Sequence, residues 1–168
     1  MESPDDDSSL EPRFPTVDDL RDLCRRLNAN GAKYIVVGGW AIIQHGFERT
    51  TSDIDLIVDT SPANFERVKT AMLGLPDGAI RHVNQGDLDE FVVVRVGDEF
   101  VIDLMKSACG IQYAEAEPDT VEVDVAGVPI RFATPRLLLR MKQTYREKDA
   151  LDRRFLHELL KNEPPPPA

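Results

Sequence analysis

Apolar positions first recur every three or four residues, at Val17, Leu20, Leu23, Cys24 and Leu27. That spacing marks one face of an α-helix, which Thr16 can cap and Gly31 can stop. The pattern then changes to an unbroken apolar run, Tyr34 to Val37, which predicts a short buried strand. Gly38-Gly39 opens a short helix, Trp40 to His45, and Gly46 ends it. A second strand is predicted over Asp53 to Val58, and Ser61-Pro62 then supplies a cap followed by proline at the first helical position. That helix is expected to run to about Leu73. Residues 79–84, 90–96 and 99–105 carry strand patterning, the last two joined by a tight turn at Gly97-Asp98. Residues 121–125 and 128–132 predict a hairpin around Ala126-Gly127. Thr134-Pro135 starts another helix, expected to reach Tyr145, and a last helix is expected from about Lys148 to Leu160.

The alternation predicts a mixed α/β (α+β) domain over residues 16–162, with one mixed sheet, helices packed largely on one face and C-terminal helices closing it. With 168 residues the chain can bury one real core. Residues 1–15, rich in Asp, Ser, Glu and Pro, are expected to form an acidic mobile tail, and residues 163–168 a stiff Pro-rich one.

Composition narrows the partners. There is no apolar stretch of about 18 residues, so no membrane span is expected, and the N-terminus lacks the basic flank and apolar core of a secretory signal. Cys24 and Cys109 form no disulfide framework and fit a reduced, cytoplasmic setting. A net charge of −10 argues against non-specific binding along nucleic acid. It leaves room for a local cationic cleft, and for an acidic site whose metal ion inverts the local charge.

The chemistry centres on Asp53-Ile54-Asp55. Side chains at i and i+2 of a strand share a face, so the two carboxylates lie side by side while Ile54 and Leu56 point to the core. Adjacent like charges are unfavourable without a cation or proton between them, and Mg²⁺ suits paired carboxylates and substrate phosphates. Taken alone, an Asp-x-Asp reads first as the exposed face of an ordinary strand, each Asp solvated or paired with Arg or Lys. Asp103 interrupts the apolar run Val101-Ile102-Asp103-Leu104-Met105. Buried and unpaired it would be costly, so it either joins the pair at a metal site or faces water from an edge strand. Gly38-Gly39 is either a plain tight turn or a place where backbone approaches phosphate closely. Arg49 and Thr51 directly precede the acidic strand and can touch phosphate or ribose, and Arg49 can equally be a surface ion-pair partner. His45, His82 and His157 make no zinc spacing, and His45 reads as a helix-end packing residue. No Gly-x-Ser-x-Gly nucleophile motif is present.

Val37-Gly38-Gly39-Trp40-Ala41, His45-Gly46, Arg49, Thr51 and Asp53-Ile54-Asp55-Leu56 together resemble the DNA polymerase β-like nucleotidyltransferase superfamily. The Gly-Gly-Trp-Ala start looks like the antibiotic nucleotidyltransferases, and the fuller run looks like small prokaryotic nucleotidyltransferases, some from toxin–antitoxin systems. Leu137 to Lys142, Arg146 to Asp149 and Asp152 are similar to the C-terminal segment of those small proteins, so the resemblance spans roughly Tyr34 to Leu160. It implies Mg²⁺-dependent transfer of an NMP from an NTP to a hydroxyl acceptor (protein, RNA end or small molecule) by a two-metal mechanism. Asp53, Asp55 and Asp103 would hold the two ions, Gly38 and Gly39 would cradle the triphosphate, and Lys142 or Lys148 would neutralise it. Larger relatives carry a second domain that holds the acceptor, so the acceptor site is left undefined. Two other readings keep the fold: a catalytically quiet nucleotide-binding or regulatory member of a toxin–antitoxin or two-chain complex with a protein partner, and a Mg²⁺-dependent phosphohydrolase.

Overall fold

A computed structural model describes residues 11–144 and 146–163. Most of the two expected tails, residues 1–10 and 164–168, lies outside the described residues, as does Tyr145. Within the first expected tail, Arg13 lies against the domain: it pairs with Asp19 and Glu99, and its guanidinium sits 5.4 Å from the Phe100 ring centroid.

The helices among the described residues are α1 (Val17–Ala29), α2 (Gly38–Gln44), α3 (Pro62–Met72), α4 (Asp87–Glu90), α5 (Tyr113–Ala116), α6 (Pro135–Met141) and α7 (Glu147–Lys161). The strands are β1 (Tyr34–Val37), β2 (Asp53–Val58), β3 (Val94–Gly97), β4 (Val101–Met105), β5 (Ser107–Ala108), β6 (Ile111–Gln112), β7 (Thr120–Val125) and β8 (Val128–Ala133). Six of them form one mixed sheet in the order β3-β4-β2-β1-β8-β7, and β5 and β6 form a separate small hairpin. β2 runs parallel to β4 and β1 parallel to β8, while the β1–β2, β3–β4 and β7–β8 pairs are antiparallel. The chain is therefore a mixed α/β domain, as the alternation predicts.

Local chemistry explains the element ends. The Thr16 hydroxyl accepts from the Asp19 amide and the Asp19 carboxylate accepts from the Thr16 amide, a reciprocal capping box for α1. Leu20, Leu23, Cys24 and Leu27 are buried on the predicted face, whereas Val17 is exposed. Burial pushes the Cys24 thiol up to about 12, which leaves it unreactive. Cys24 and Cys109 are both free. β1 sits in the sheet interior and all four of its residues are buried, which is why it reads as an unbroken apolar run rather than an alternating one. Ala126 and Gly127 both have positive φ, the turn that joins β7 to β8 tightly.

Four expectations fail for identifiable reasons. One is the tight turn at Gly97-Asp98: the connection spans 98–100, held by the buried Asp98, and β4 begins at Val101 rather than at 99. Residues 79–84 are not a strand; Ala79–His82 form a 3₁₀ turn. The buried Asp98 carboxylate accepts from the amides of Asp77 and Ala79 and holds that segment as a turn, with Ile80 in the core. The strand expected over 90–96 begins only at Val94, because Asp87 accepts from the Asn84 amide and starts the α4 turn, whose Leu88 is buried. The helix expected to reach Tyr145 ends at Met141. Arg153 donates to the carbonyls of Lys142 and Thr144, so these groups are satisfied without a further helical turn.

α7 docks through charge as well as apolar contact. Leu156 is buried and the Phe155 and Phe47 rings lie 4.8 Å apart, but the other buried residues of α7 are Asp149 and Asp152. Asp152 binds Arg49 at 2.6 Å and Lys142 at 3.1 Å; Asp149 binds Lys142 at 3.2 Å and Arg146 at 2.8 Å. Removing one partner of such a buried network leaves uncompensated charge, so Asp152→Ala is expected to cost about 3–5 kcal/mol. Urea unfolding at neutral pH measures it, and a loss below about 1 kcal/mol would mean that α7 is held by its apolar face alone.

Candidate active site

The site is built by strand register. β2 and β4 run parallel with Asp55 opposite Asp103, β3 pairs antiparallel to β4 with Arg95 opposite Asp103, and β1 places Val37 opposite Asp55. Arg95, Asp103, Asp55 and Val37 thus form one row across four strands. Asp53, two residues from Asp55, shares its face. The intervening Ile54, Leu56, Ile102 and Leu104 are fully buried, so the same strands that anchor in the core expose a carboxylate cluster on the other side.

Asp53, Asp55 and Asp103 each offer an oxygen, and these oxygens lie within 4.8 Å of one another. Burial, and then the charge of Asp103, pushes the Asp53 carboxyl above its ordinary range, with Arg95 and Lys148 pulling it back. Burial, and then the charges of Asp53 and Asp103, pushes Asp55 up to about 7, against the opposing pull of Lys142 and Lys148. Such crowding of hard oxygen donors, unfavourable for the protein alone, fits a divalent cation.

The glycine pair makes room for this cluster. Gly38 has φ +63, and a Cβ there would land on the Asp55 carboxylate. A Cβ on Gly39 would lie 2.6 Å from the Thr51 hydroxyl, and that hydroxyl donates to the Asp53 carbonyl at the entrance to β2. The two glycines therefore let the start of α2 press directly on Asp55 and Thr51.

A cleft of about 430 Å³ opens over the carboxylates, lined by Gly39, Arg49, Thr51, Asp53, Asp55, Val93, Arg95, Asp103, Met105, Lys142, Arg146 and Lys148. It brings together the predicted metal and triphosphate residues except Gly38, which packs against Asp55. Of the predicted cations, two are committed to partners. Lys142 is buried and held by Asp149 and Asp152, and Arg49 is held by Asp152. Lys148 is exposed, and among the described residues it makes no ion pair. His45 donates to the Ala133 carbonyl, consistent with a packing role.

The residue that sequence reasoning missed is Arg95. Its Nε and Nη2 donate to the two oxygens of Asp103 at 3.0 and 3.1 Å, and Nη2 also donates to Asp53 at 3.2 Å. Its only local signal is a polar position between Val94 and Val96, which marks a strand face and names no partner.

No protein-family model matches the sequence, and no curated protein matches it. Solved structures do match. The solution structure of the antibiotic-resistance factor ANT(2'')-Ia is similar over 86% of this chain and 83% of its own, at a TM-score of 0.56 and 17% identity. The crystal structure of ANT(2'')-Ia in complex with adenylyl-2''-tobramycin is similar over 86% and 88%, at 0.55 and 17%. An antigenic nucleotidyltransferase-like protein from Paracoccidioides brasiliensis is similar over 89% and 77%, at 0.54 and 15%.

Two outcomes follow from the geometry. Gly38→Ala forces a left-handed backbone and a methyl group onto the Asp55 carboxylate, and should cost about 1–3 kcal/mol in urea unfolding; a neutral effect would show that Asp55 can move aside freely. The second concerns pH. Between the ordinary value of 3.8 and about 7, the folded chain keeps a proton at Asp55 that the unfolded chain has released. Metal-free stability therefore falls as pH rises through that window and levels off above it. Asp55→Asn should remove this slope, so that it unfolds later than the wild type at pH 8 and together with it near pH 4. Parallel thermal-unfolding profiles for the two proteins would show that Asp55 is not the group responsible.

Proposed function

We propose that this chain, which carries the nucleotidyltransferase fold, transfers a nucleoside monophosphate from an NTP to a hydroxyl acceptor, using Mg²⁺ held by Asp53, Asp55 and Asp103. The observation that carries this reading is the cleft itself: three carboxylates that converge within 4.8 Å on a floor walled by cations. A purely structural set of aspartates would be dispersed or paired one to one, because crowding them costs stability. When bound, Mg²⁺ supplies charge stabilisation for the attacking and leaving oxygens of an in-line displacement at the α-phosphate.

The chain's own residues divide the remaining work. Gly38 and Gly39 hold the backbone at the start of α2 close against the carboxylates, which leaves no side chain between that backbone and a triphosphate. Lys148, exposed at the cleft wall, is the group free to reach phosphate oxygens as substrate arrives, whereas the exposed Arg146 must first leave Asp149. Lys142 and Arg49, clamped by Asp149 and Asp152, provide a fixed positive wall rather than swinging arms. Thr51 positions the first turn of β2 through its bond to the Asp53 carbonyl and presents its side chain to the cleft.

The acceptor is the undetermined half of the reaction. Because ANT(2'')-Ia is seen with adenylyl-2''-tobramycin, an aminoglycoside is one acceptor to offer, beside protein and RNA.

The test is incubation with each α-³²P-labelled NTP and Mg²⁺, with tobramycin or with cell lysate. Label is expected to move onto an acceptor, and the Asp53→Ala Asp55→Ala double variant should lose transfer by at least about a thousandfold, as loss of metal-supplied charge stabilisation requires. The same variant should fold at least as stably as the wild type without metal, because it relieves repulsion. Free labelled NMP with no labelled acceptor would instead mean hydrolysis. Nucleotide binding without any turnover would make the chain a quiet nucleotide-binding module.

A further inference from the structure

Asp53 and Asp103 line the cleft, and both already pair with one cation. The planar Arg95 fork meets Asp103 with two parallel hydrogen bonds and reaches Asp53 with a third. Parallel two-point contact of this kind fixes the rotation of a carboxylate as well as its distance. The clasp is built into the sheet, because Arg95 is the direct cross-strand neighbour of Asp103. No hydrogen bond joins Arg95 to Asp55 among the described residues, so the guanidinium takes one side of the cluster and leaves the other open.

We propose that Arg95 is a positioning residue that stands in for the divalent cation: it holds Asp53 and Asp103 converged while the cleft is metal-free, and is exchanged for the ion on loading. The inference rests on the metal-binding reading of the three carboxylates. Four features of the arrangement support exchange over a permanent pair. The guanidinium uses both oxygens of Asp103, the same oxygens an ion would need. It brings a single delocalised charge to a cluster of three carboxylates, whereas a divalent ion brings two compact ones. Its side chain is 64% exposed, so leaving opens no cavity and breaks no apolar packing. The guanidinium end of the clasp stays in contact with water, so its release costs no desolvated charge on Arg95 and the pair can yield to a divalent ion. Lysine would serve less well, because its ammonium cannot bind both oxygens of one carboxylate and a second carboxylate in a planar fork.

The exchange has a thermodynamic consequence. Every ion that enters must first displace Arg95, so Arg95 lowers the apparent metal affinity of the wild type. A guanidinium that instead braces Asp103 in the loaded state would raise it. The two roles therefore predict opposite signs.

The experiment is titration of the metal-free full chain with Mn²⁺, by calorimetry or by electron paramagnetic resonance of the free ion, at fixed pH and ionic strength. Arg95→Ala is compared with the wild type and with the Asp53→Ala Asp55→Ala double variant. Arg95→Ala is expected to bind Mn²⁺ about three- to tenfold more tightly, the range a part-exposed ion pair allows. Its melting temperature without metal should fall, and its gain on adding Mn²⁺ should exceed that of the wild type. Affinity equal to or weaker than the wild type overturns the proposal. Arg95→Gln keeps the stem while removing the charge, and should give the same tightening should Arg95→Ala fail to fold. Loss of Mn²⁺ binding in the double variant alone keeps the metal reading intact whichever way Arg95 falls. No Mn²⁺ binding in the wild type and both Arg95 variants overturns both.

Discussion

Three carboxylates held within 4.8 Å of one another are the constraint on which this molecule is organised. Their mutual repulsion is fixed by strand register and cannot be relaxed by rotamer choice alone, because β2 and β4 are locked through the core by Ile54, Leu56, Ile102 and Leu104. The protein relieves the repulsion in three separate ways. Arg95 neutralises Asp103 and Asp53 from the neighbouring strand. Asp55, packed against Gly38 and not hydrogen-bonded to that guanidinium, is pushed by burial and by its two acidic neighbours up to about 7. Lys142 and Lys148 act on Asp55 through space from the far wall. Each of these compensations is removable, which supports the proposed cation site over a finished ion-pair network.

The same constraint explains the clasp around α7. Arg49 and Lys142 stand at the cleft wall, and there they need partners of their own to remain in place. Asp149 and Asp152 provide these from beneath, almost fully buried, with Thr144 and Arg146 also bonded to Asp149. Burial would push the Asp149 carboxyl up, but its bonds to Thr144, Lys142 and Arg146 outweigh this and hold it below the ordinary range. α7 is therefore both the closing element of the fold and the support for one wall of the cleft, and disturbance of either function disturbs the other.

Much of this was legible in the chain because it is local. The period-2 placement of Asp53 and Asp55, the caps at Thr16, Ser61 and Thr134, and the glycine pair after a buried strand all act within a few residues of themselves. Asp103 was legible because a lone carboxylate in an apolar run demands a reason. What escaped was non-local. A two-residue turn at Gly97-Asp98 would put Arg95 opposite Phe100, whereas the loop spans 98–100 and puts Arg95 opposite Asp103. The buried Asp98 explains the longer loop, since its carboxylate is occupied by amides of the 77–79 segment, a contact across some twenty residues. Likewise nothing near Arg49 or Lys142 announces that their partners lie on α7, so the ion pair that Arg49 could make had no named partner and Lys142 read as a phosphate ligand.

Overall charge and local charge point in opposite directions, and the fold resolves the difference. The chain carries a net charge of −10, yet the cleft is lined by five cationic side chains against three carboxylates. A cleft with low-dielectric walls focuses the field of the charges that line it, while exposed acidic groups elsewhere are screened over about 8 Å at physiological salt. Asp149 and Asp152 offset part of that positive charge, so on the proposed reading the bound divalent cation is what makes the floor attractive to a triphosphate. On the proposed reading, that arrangement suits a small anionic donor. That is the selectivity expected where the donor is a nucleotide and recognition of the acceptor is left to groups beyond the carboxylate floor.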